Sequence, residues 1–246
     1  MARIARLVVP GYPHHITQRG VRSIAVFRSD DDRLFYLRYM AEETRRLDVE
    51  ILSWCLMTNH IHLVAVPGDE KALARSIGEA HKRYTRMRNF AEGVRGYLFQ
   101  GRFGSCVLDE GHLLAAVRYV EQNPVRAGMV KRPWDYQWSS AQFHIGLRKV
   151  DELVTDCSLR QMVNDWYEFL EGGDNDIDKK LRTATRIGRP AGGDQFLLKI
   201  ENLTRRNLRK KKPGRATKSN NATLQKQVLC PQNAAAKRPV TKGWPF

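Results

Sequence analysis

Apolar positions recur with two different periods along the first 150 residues. His14–Gln18 reads as a short strand before a turn at Arg19-Gly20. Behind the acidic cluster Asp30-Asp31-Asp32, Leu34, Tyr36, Leu37 and Met40 recur at helical spacing. This predicts a helix to about Leu47, because the helix dipole favours carboxylates in a first turn. Two apolar runs, Glu50–Met57 and His60–Val66, are joined by Thr58-Asn59 and read as a hairpin that ends at Pro67-Gly68. Lys71–Met87 predicts a second helix with Leu73, Ile77, Ala80 and Tyr84 near one face. Tyr97–Leu108 reads as a further strand or hairpin arm, broken by Gly101 and Gly104. Glu110–Gln122 predicts a third helix, stopped at Asn123-Pro124 because proline disfavours helical geometry in the residue before it. Long helices between antiparallel strands point to one α+β layer fold of the split-βαβ kind.

Beyond about residue 150 the pattern changes. Cys157–Leu170 fits one amphipathic helix with Leu159, Met162, Val163, Trp166, Phe169 and Leu170 as its apolar face, ended by Gly172-Gly173-Asp174. Phe196–Leu208 fits another short helix, introduced by Gly188-Arg189-Pro190. From Lys210 onward hydrophobic periodicity fades, and a disordered polar tail is expected. The chain therefore divides into 1–150 as the main domain, 151–178 as an acidic connecting helix, 179–212 as a basic helical extension and 213–246 as a basic tail.

Charge sharpens this division. The 246 residues carry 42 Lys+Arg and 26 Asp+Glu, a net +16. Residues 1–150 hold 23 basic and 15 acidic residues (+8), 151–178 hold 1 and 9 (−8), and 179–246 hold 18 and 2 (+16). A basic excess of this kind points to a polyanion, first of all nucleic acid. No run approaches the ~18 apolar residues of a membrane span, and the apolar stretch near the N-terminus is too short for a secretory signal. Cys55, Cys106, Cys157 and Cys230 lie far apart without CxxC spacing, so reduced thiols in a cytoplasmic protein are expected, not a zinc knuckle or disulfide framework.

Two stretches carry candidate chemistry. In Met57-Thr58-Asn59-His60-Ile61-His62-Leu63-Val64, His60 and His62 are two apart on a strand and so project from one face, where two imidazoles can hold a divalent metal if a third ligand joins them. Alone, such a pair is as easily surface or packing. In Arg118-Tyr119-Val120-Glu121-Gln122-Asn123-Pro124-Val125-Arg126-Ala127-Gly128, Tyr119 and Asn123 are i and i+4, one turn apart on a helix face. The Asn amide oxygen is a plausible ligand for a hard metal. Taken singly, Tyr119 reads as a core tyrosine and Asn123 as a helix-ending residue.

Together these motifs make residues 8–147 resemble the single-tyrosine HUH transposases, and within them the REP-associated tyrosine transposases. The resemblance rests on Gly11-Tyr12-Pro13-His14-His15-Ile16-Thr17-Gln18-Arg19-Gly20, Met57–Leu63, Leu98-Phe99-Gln100-Gly101-Arg102-Phe103, Tyr119–Gly128 and Trp138-Ser139-Ser140, in that order and spacing. The stretch from Arg186-Ile187-Gly188-Arg189-Pro190 to Lys212-Pro213-Gly214-Arg215 looks like the basic extension of some members, and Thr58 departs from the proline relatives often have. The resemblance implies a ferredoxin-like antiparallel sheet with packed helices that cuts and rejoins single-stranded DNA at hairpin-forming repeats. It further implies Tyr119 as nucleophile forming a 5′-phosphotyrosine, and His60, His62 and Asn123 as ligands of Mg²⁺ or Mn²⁺. No GxxxxGK[ST] loop is present, in keeping with a reaction that needs no nucleotide cofactor. Either a monomer or a homodimer is compatible, and work on DNA would place the protein at the bacterial nucleoid.

Several residues support this reading less directly. Arg19 and Arg102 can contact DNA, or can simply be salt-bridged at the sheet edge. Lys82, Arg83, Arg86 and Arg88 would make the second helix a phosphate rail, or only a solvated face. Of His14 and His15, which alternate faces, at most one shares the metal face; one is expected to be packed and one to line the DNA groove. Tyr84 is the rival nucleophile, but no amide or carboxylate follows it by one turn. Tyr97, Phe99 and Phe103 can stack bases, with core packing the simpler role. Arg209, Lys210, Lys211 and Lys212 would add salt-dependent affinity by counterion release. Two other classes stay open: a non-catalytic single-stranded nucleic-acid-binding module on an RRM-like sheet, which needs exposed aromatics on its central strands, and a metal hydrolase with a water nucleophile.

Overall fold

Four strands carry the alternation. β1 (His14–Arg19), β2 (Val49–Met57), β3 (His60–Pro67) and β4 (Gly104–Val107) hydrogen-bond in the order β2-β3-β1-β4, every neighbouring pair antiparallel. The computed structural model describes residues 6–155, 158–173 and 175–208. Helix α1 (Asp30–Arg46) joins β1 to β2, and α2 (Ala72–Glu92) joins β3 to β4. Each helix connects strands two places apart, so another strand inserts between them, as in the split-βαβ, ferredoxin-like arrangement.

Local chemistry sets these elements. The Ser29 hydroxyl accepts from the Asp32 N–H, and the Asp32 carboxylate accepts from the Ser29 N–H, a capping box that starts α1. Helix α2 runs beyond the expected Met87 because Arg88 is held by Glu92 on the next turn and by Asp32 of α1; Gly93, at φ +65°, ends it. The Thr58-Asn59 turn is tied from outside: the Thr58 carbonyl accepts from Val26 and Phe27, and the Asn59 carbonyl from Gly20.

Period-2 alternation sends alternate residues to two different cores. Ile16, Trp54, Leu56, Ile61, Leu63 and Ala65 pack under α1 and α2 with Tyr36, Leu37, Leu73, Ile77 and Tyr84. Cys55, Met57, Val64 and Cys106 face the other way, against Ala116, Val117 and Val120 of α3 (Glu110–Glu121). A register shift between Ile51 and Ser53 turns β2 so that Leu52 joins this second core. The sheet is thus covered on both faces. The short α4 (Asn123–Arg126) and α5 (Ala141–His144) follow α3.

Five expectations need correction. Strand structure in 97–108 is confined to β4; Gly101 takes φ +59°, and residues 98–100 make only isolated bonds to the end of β1. The single helix expected over 157–170 is two, α6 (Ser158–Gln161) and α7 (Trp166–Glu171), because Asp165 leaves helical geometry to cap the N–H groups of Tyr167 and Glu168. Met162, expected on the apolar face, is exposed. A helix not read from the sequence, α8 (Asn175–Ile187), crosses the expected boundary at 178/179 and packs on the α3 side of the sheet. The last described helix, α9 (Asp194–Thr204), starts and stops earlier than 196–208, ending where Arg205 turns left-handed.

Cys55 and Cys106 are free and buried. Cys157, Cys230, Arg209, Lys210, Lys211, Lys212 and the tail lie outside the described residues. No helix among the described residues is long and apolar enough to cross a membrane.

Candidate active site

His60 and His62 share the face of β3 that looks toward α3, as their spacing predicts. The register sets Arg19 opposite His60, Thr17 opposite His62 and His15 opposite Val64, so β1 contributes to the same face. Helix α3 lies over this face with Tyr119 near its end, and Asn123 follows one turn later at the start of α4. Arg182, Thr185 and Arg186 of α8 form a third wall. The result is an open cleft of about 750 Å³ that His60, His62, Tyr119 and Asn123 all line. The Tyr119 ring lies edge-on to His15 and His62, with centroids 5.5 and 5.6 Å away.

Among the described residues, the hydrogen bonds leave two acceptor atoms and one further ring nitrogen unused. His60 Nδ1 lies 2.6 Å from Asn59 Oδ1, an acceptor, so this nitrogen carries the proton and Nε2 keeps its lone pair. Asn123 Nδ2 donates to the Tyr119 and Val120 carbonyls at 2.8 and 3.3 Å, which leaves Oδ1 unengaged. His62 Nδ1 lies 3.1 Å from His15 Nε2, and no hydrogen bond among the described residues takes His62 Nε2. Two imidazole nitrogens and an amide oxygen suit a divalent cation that tolerates nitrogen and oxygen ligands. Among the described residues no group of three or more His, Cys, Asp or Glu side chains is placed to hold a metal ion, so any such site relies on the amide.

Burial keeps the imidazoles neutral. It lowers His15 to about 3, and lowers His60 to about 4 with help from the Arg19 charge. His62 is pushed well below its ordinary value by burial first, then by His15, His60, Arg126 and Arg19. Burial also raises Tyr119 above its ordinary 10, while Arg182, Arg126 and Arg19 pull it down and Asp178 pushes it up. The Tyr119 hydroxyl makes no hydrogen bond among the described residues.

The remaining candidates separate. Arg19 and Arg102 line the cleft. Lys82, Arg86 and Arg102 line a second groove of about 500 Å³ beside the exposed Tyr97, and Lys82 also pairs with Glu79. Arg83 turns away from both, fixed by Glu42 and Glu43 of α1 and stacked over Tyr39. Arg88 is buried against Asp32, Glu92, the Tyr84 hydroxyl and the Val26 carbonyl, so it is no part of a phosphate rail. Tyr84 is a core residue whose hydroxyl donates to Val26 at 2.8 Å and whose ionisation burial opposes. Phe99 and Phe103 are packed. His14 is buried with both ring nitrogens engaged by Val9 and Tyr12. His15, though buried beside His62, is among the residues that line the cleft, so of the two neighbouring histidines one is packed away and one borders the groove. The sequence reading missed Arg126, Arg182, Thr185 and Arg186; the signal available was the i, i+4 basic pair 182/186.

Residues 11–123 match the family model described as "Transposase IS200 like". A solved structure described as "Structure of the REP associates tyrosine transposase bound to a REP hairpin" is similar in fold, with a TM-score of 0.51 and 20% identity over 64% of this chain and 96% of that one. No curated protein matches the chain.

Proposed function

We propose, from the match of residues 11–123 to the IS200-like transposase model, that this chain cleaves and rejoins single-stranded DNA at hairpin-forming repeats. The observation that carries the reading is the cleft in which His60 Nε2, His62 Nε2 and Asn123 Oδ1 stand unengaged beside the hydroxyl-bearing Tyr119, walled by arginines. The REP hairpin bound by the structural neighbour supports a folded single strand as substrate.

His60, His62 and Asn123 would hold a divalent cation, Mg²⁺ or Mn²⁺, which when bound neutralises charge on the scissile phosphate. Arg19, Arg102, Arg182 and Arg186 hold the flanking phosphates. Tyr119 attacks phosphorus in line: the P–O(Tyr) bond forms as the P–O3′ bond breaks, the phenol proton passes to solvent, and the departing 3′ oxygen takes a proton. A 5′-phosphotyrosine and a 3′-hydroxyl result. Attack of a 3′-hydroxyl on the phosphotyrosine reverses the step and joins strands without a nucleotide.

The binding-module reading is weaker because both sheet faces are covered. The hydrolase reading is weaker because no carboxylate among the described residues lines the cleft. A denaturing gel of the protein with labelled hairpin DNA, with Mg²⁺, Mn²⁺ or EDTA, tests the proposal. A metal-dependent covalent adduct should form in the wild type and in Tyr84→Phe and vanish in Tyr119→Phe. Cleavage that survives Tyr119→Phe would overturn it in favour of a water nucleophile.

A further inference from the structure

His62 has two possible proton placements, and only one leaves a lone pair facing the cleft. Its Nδ1 meets His15 Nε2 at 3.1 Å, so one of these two nitrogens carries the proton and the other accepts it. If His15 donated, His62 would carry its own proton on Nε2, and that atom could not bind a cation. The choice passes back along a chain. His15 Nδ1 lies 2.7 Å from Thr185 Oγ1, and the Thr185 hydroxyl lies 2.9 Å from the Leu181 carbonyl. A carbonyl only accepts, so the Thr185 proton is committed to Leu181. Thr185 Oγ1 must then accept from His15 Nδ1–H, His15 Nε2 is left as an acceptor, and His62 Nδ1–H donates to it. Cys106 Sγ, 3.1 Å from the same hydroxyl oxygen, can supply a second donor without disturbing the order.

We propose that Thr185 and His15 are positioning residues that fix His62 in the tautomer whose Nε2 lone pair faces the cleft, so that helix α8 completes a cation site otherwise built by β3 and α4. Thr185 lies in α8, beyond the 11–123 stretch that matches the family model. His15 and Thr185 are both buried, and the His15 and His62 rings lie edge to edge with centroids 5.4 Å apart and planes only 10° from parallel, the in-plane arrangement an N–H···N bond needs, so the chain has little freedom to re-form differently. Partners behind a ligating histidine set both its tautomer and its orientation, and losing one typically costs ten- to a hundredfold in metal affinity.

The inference rests on the cation site proposed above, so its test reads two quantities on the full-length protein. Ring-nitrogen NMR without metal reports the tautomer of His62, and Mn²⁺ titration reports affinity. In the wild type His62 should carry its proton on Nδ1. Thr185→Val keeps the shape but removes the hydroxyl; it should move His62 toward the Nε2–H form and weaken Mn²⁺ binding about ten- to a hundredfold. Thr185→Ser should restore both, which a purely packing role for the threonine methyl would not do. An unchanged tautomer and unchanged affinity in Thr185→Val would overturn the relay while leaving the cleavage reading intact. Failure of the wild type to take up Mn²⁺ would overturn the cation site and, with it, any ligation role for the relay.

Discussion

The Arg126 guanidinium carbon sits 4.3 Å from the centroid of the Tyr119 ring, and Arg126 Nη2 donates to the Tyr119 carbonyl at 2.5 Å. One arginine thus holds the backbone of the proposed nucleophile and places a positive charge over its ring. Its other arm pairs with Asp178 of α8, so the position of this charge depends on the C-terminal helix.

A cation over the ring favours the phenolate, against the burial that raises Tyr119 above its ordinary 10. Adduct formation should therefore rise with pH across the neutral range. Arg126→Gln removes the charge and leaves less phenolate at any given pH. Each pKa unit is a factor of ten in that population, so a roughly tenfold slower adduct rate is expected, with a smaller effect on hairpin binding in EDTA. Single-turnover gels over a pH series, for wild type and variant, read this directly. Equal rates at every pH would show that Arg126 does not act on the phenol.

The two groups of arginines predict different salt behaviour. A side chain that neutralises a DNA phosphate contributes close to one to the slope of log affinity against log salt. Arg186→Gln, in the cleft wall, should reduce that slope by about one. Arg83→Gln should leave it unchanged, because Arg83 is already paired with Glu42 and Glu43. Fluorescence anisotropy with one hairpin at several salt concentrations compares them; a loss of slope in Arg83→Gln would place that residue on the DNA after all.

These arginines mark how far the sequence could be read. The i, i+2 spacing of His60 and His62 and the i, i+4 spacing of Tyr119 and Asn123 are local geometry, and the structure gathers all four in one cleft. The rail of Lys82, Arg83, Arg86 and Arg88 looked uniform because the partners that take Arg83 and Arg88 out of it, Glu42, Glu43 and Asp32, sit on another helix some 40 to 60 positions earlier, and only tertiary packing brings them together. Thr185 was invisible for the same reason: its contact with His15 spans 170 residues. The break at Asp165 was local and open to reading, since Asn164-Asp165 is a capping signal inside an apolar pattern that otherwise suggested one helix.

His14 makes the fold sensitive to acid. Its Nδ1–H donates to the Tyr12 carbonyl at 2.7 Å, and its Nε2 accepts from the Val9 N–H at 3.2 Å, an arrangement open only to the neutral ring. Burial lowers its pKa from 6.5 to about 4. Between those values the unfolded chain binds a proton that the folded one refuses. The contribution is therefore complete above about pH 6.5 and is lost as pH falls toward 4. The shift corresponds to roughly 3 kcal/mol, and His15, lowered to about 3, adds a term of the same sign. Urea melts from pH 7.5 to 4.5 should show falling stability, and His14→Gln should flatten the curve. A wild-type profile without slope over that range would contradict the neutral-ring assignment.

Between Tyr119 and Asn123 lies Glu121, which ties α3 to the sheet from behind. Its Oε1 accepts from Ser53 at 3.0 Å, from Ser140 at 2.6 Å and from His144 Nδ1 at 2.5 Å, all in a fully buried setting. Ser140 also accepts from the Trp54 N–H, and His144 stacks on Trp166 of α7 at 4.6 Å. Among the described residues Glu121 Oε2 and His144 Nε2 have no partner, so the tie runs through one oxygen. Glu121→Ala strips three donors of their common acceptor and should cost about 3–5 kcal/mol. Glu121→Gln keeps an amide oxygen in place and should cost less. Because residues 119 and 123 flank this anchor by two positions on either side, Mn²⁺ affinity should follow the same order, wild type above Glu121→Gln above Glu121→Ala, at temperatures where all three remain folded. Urea melts and metal titrations on the same samples decide it: lost stability with unchanged affinity would make Glu121 a support of the core that does not position the site.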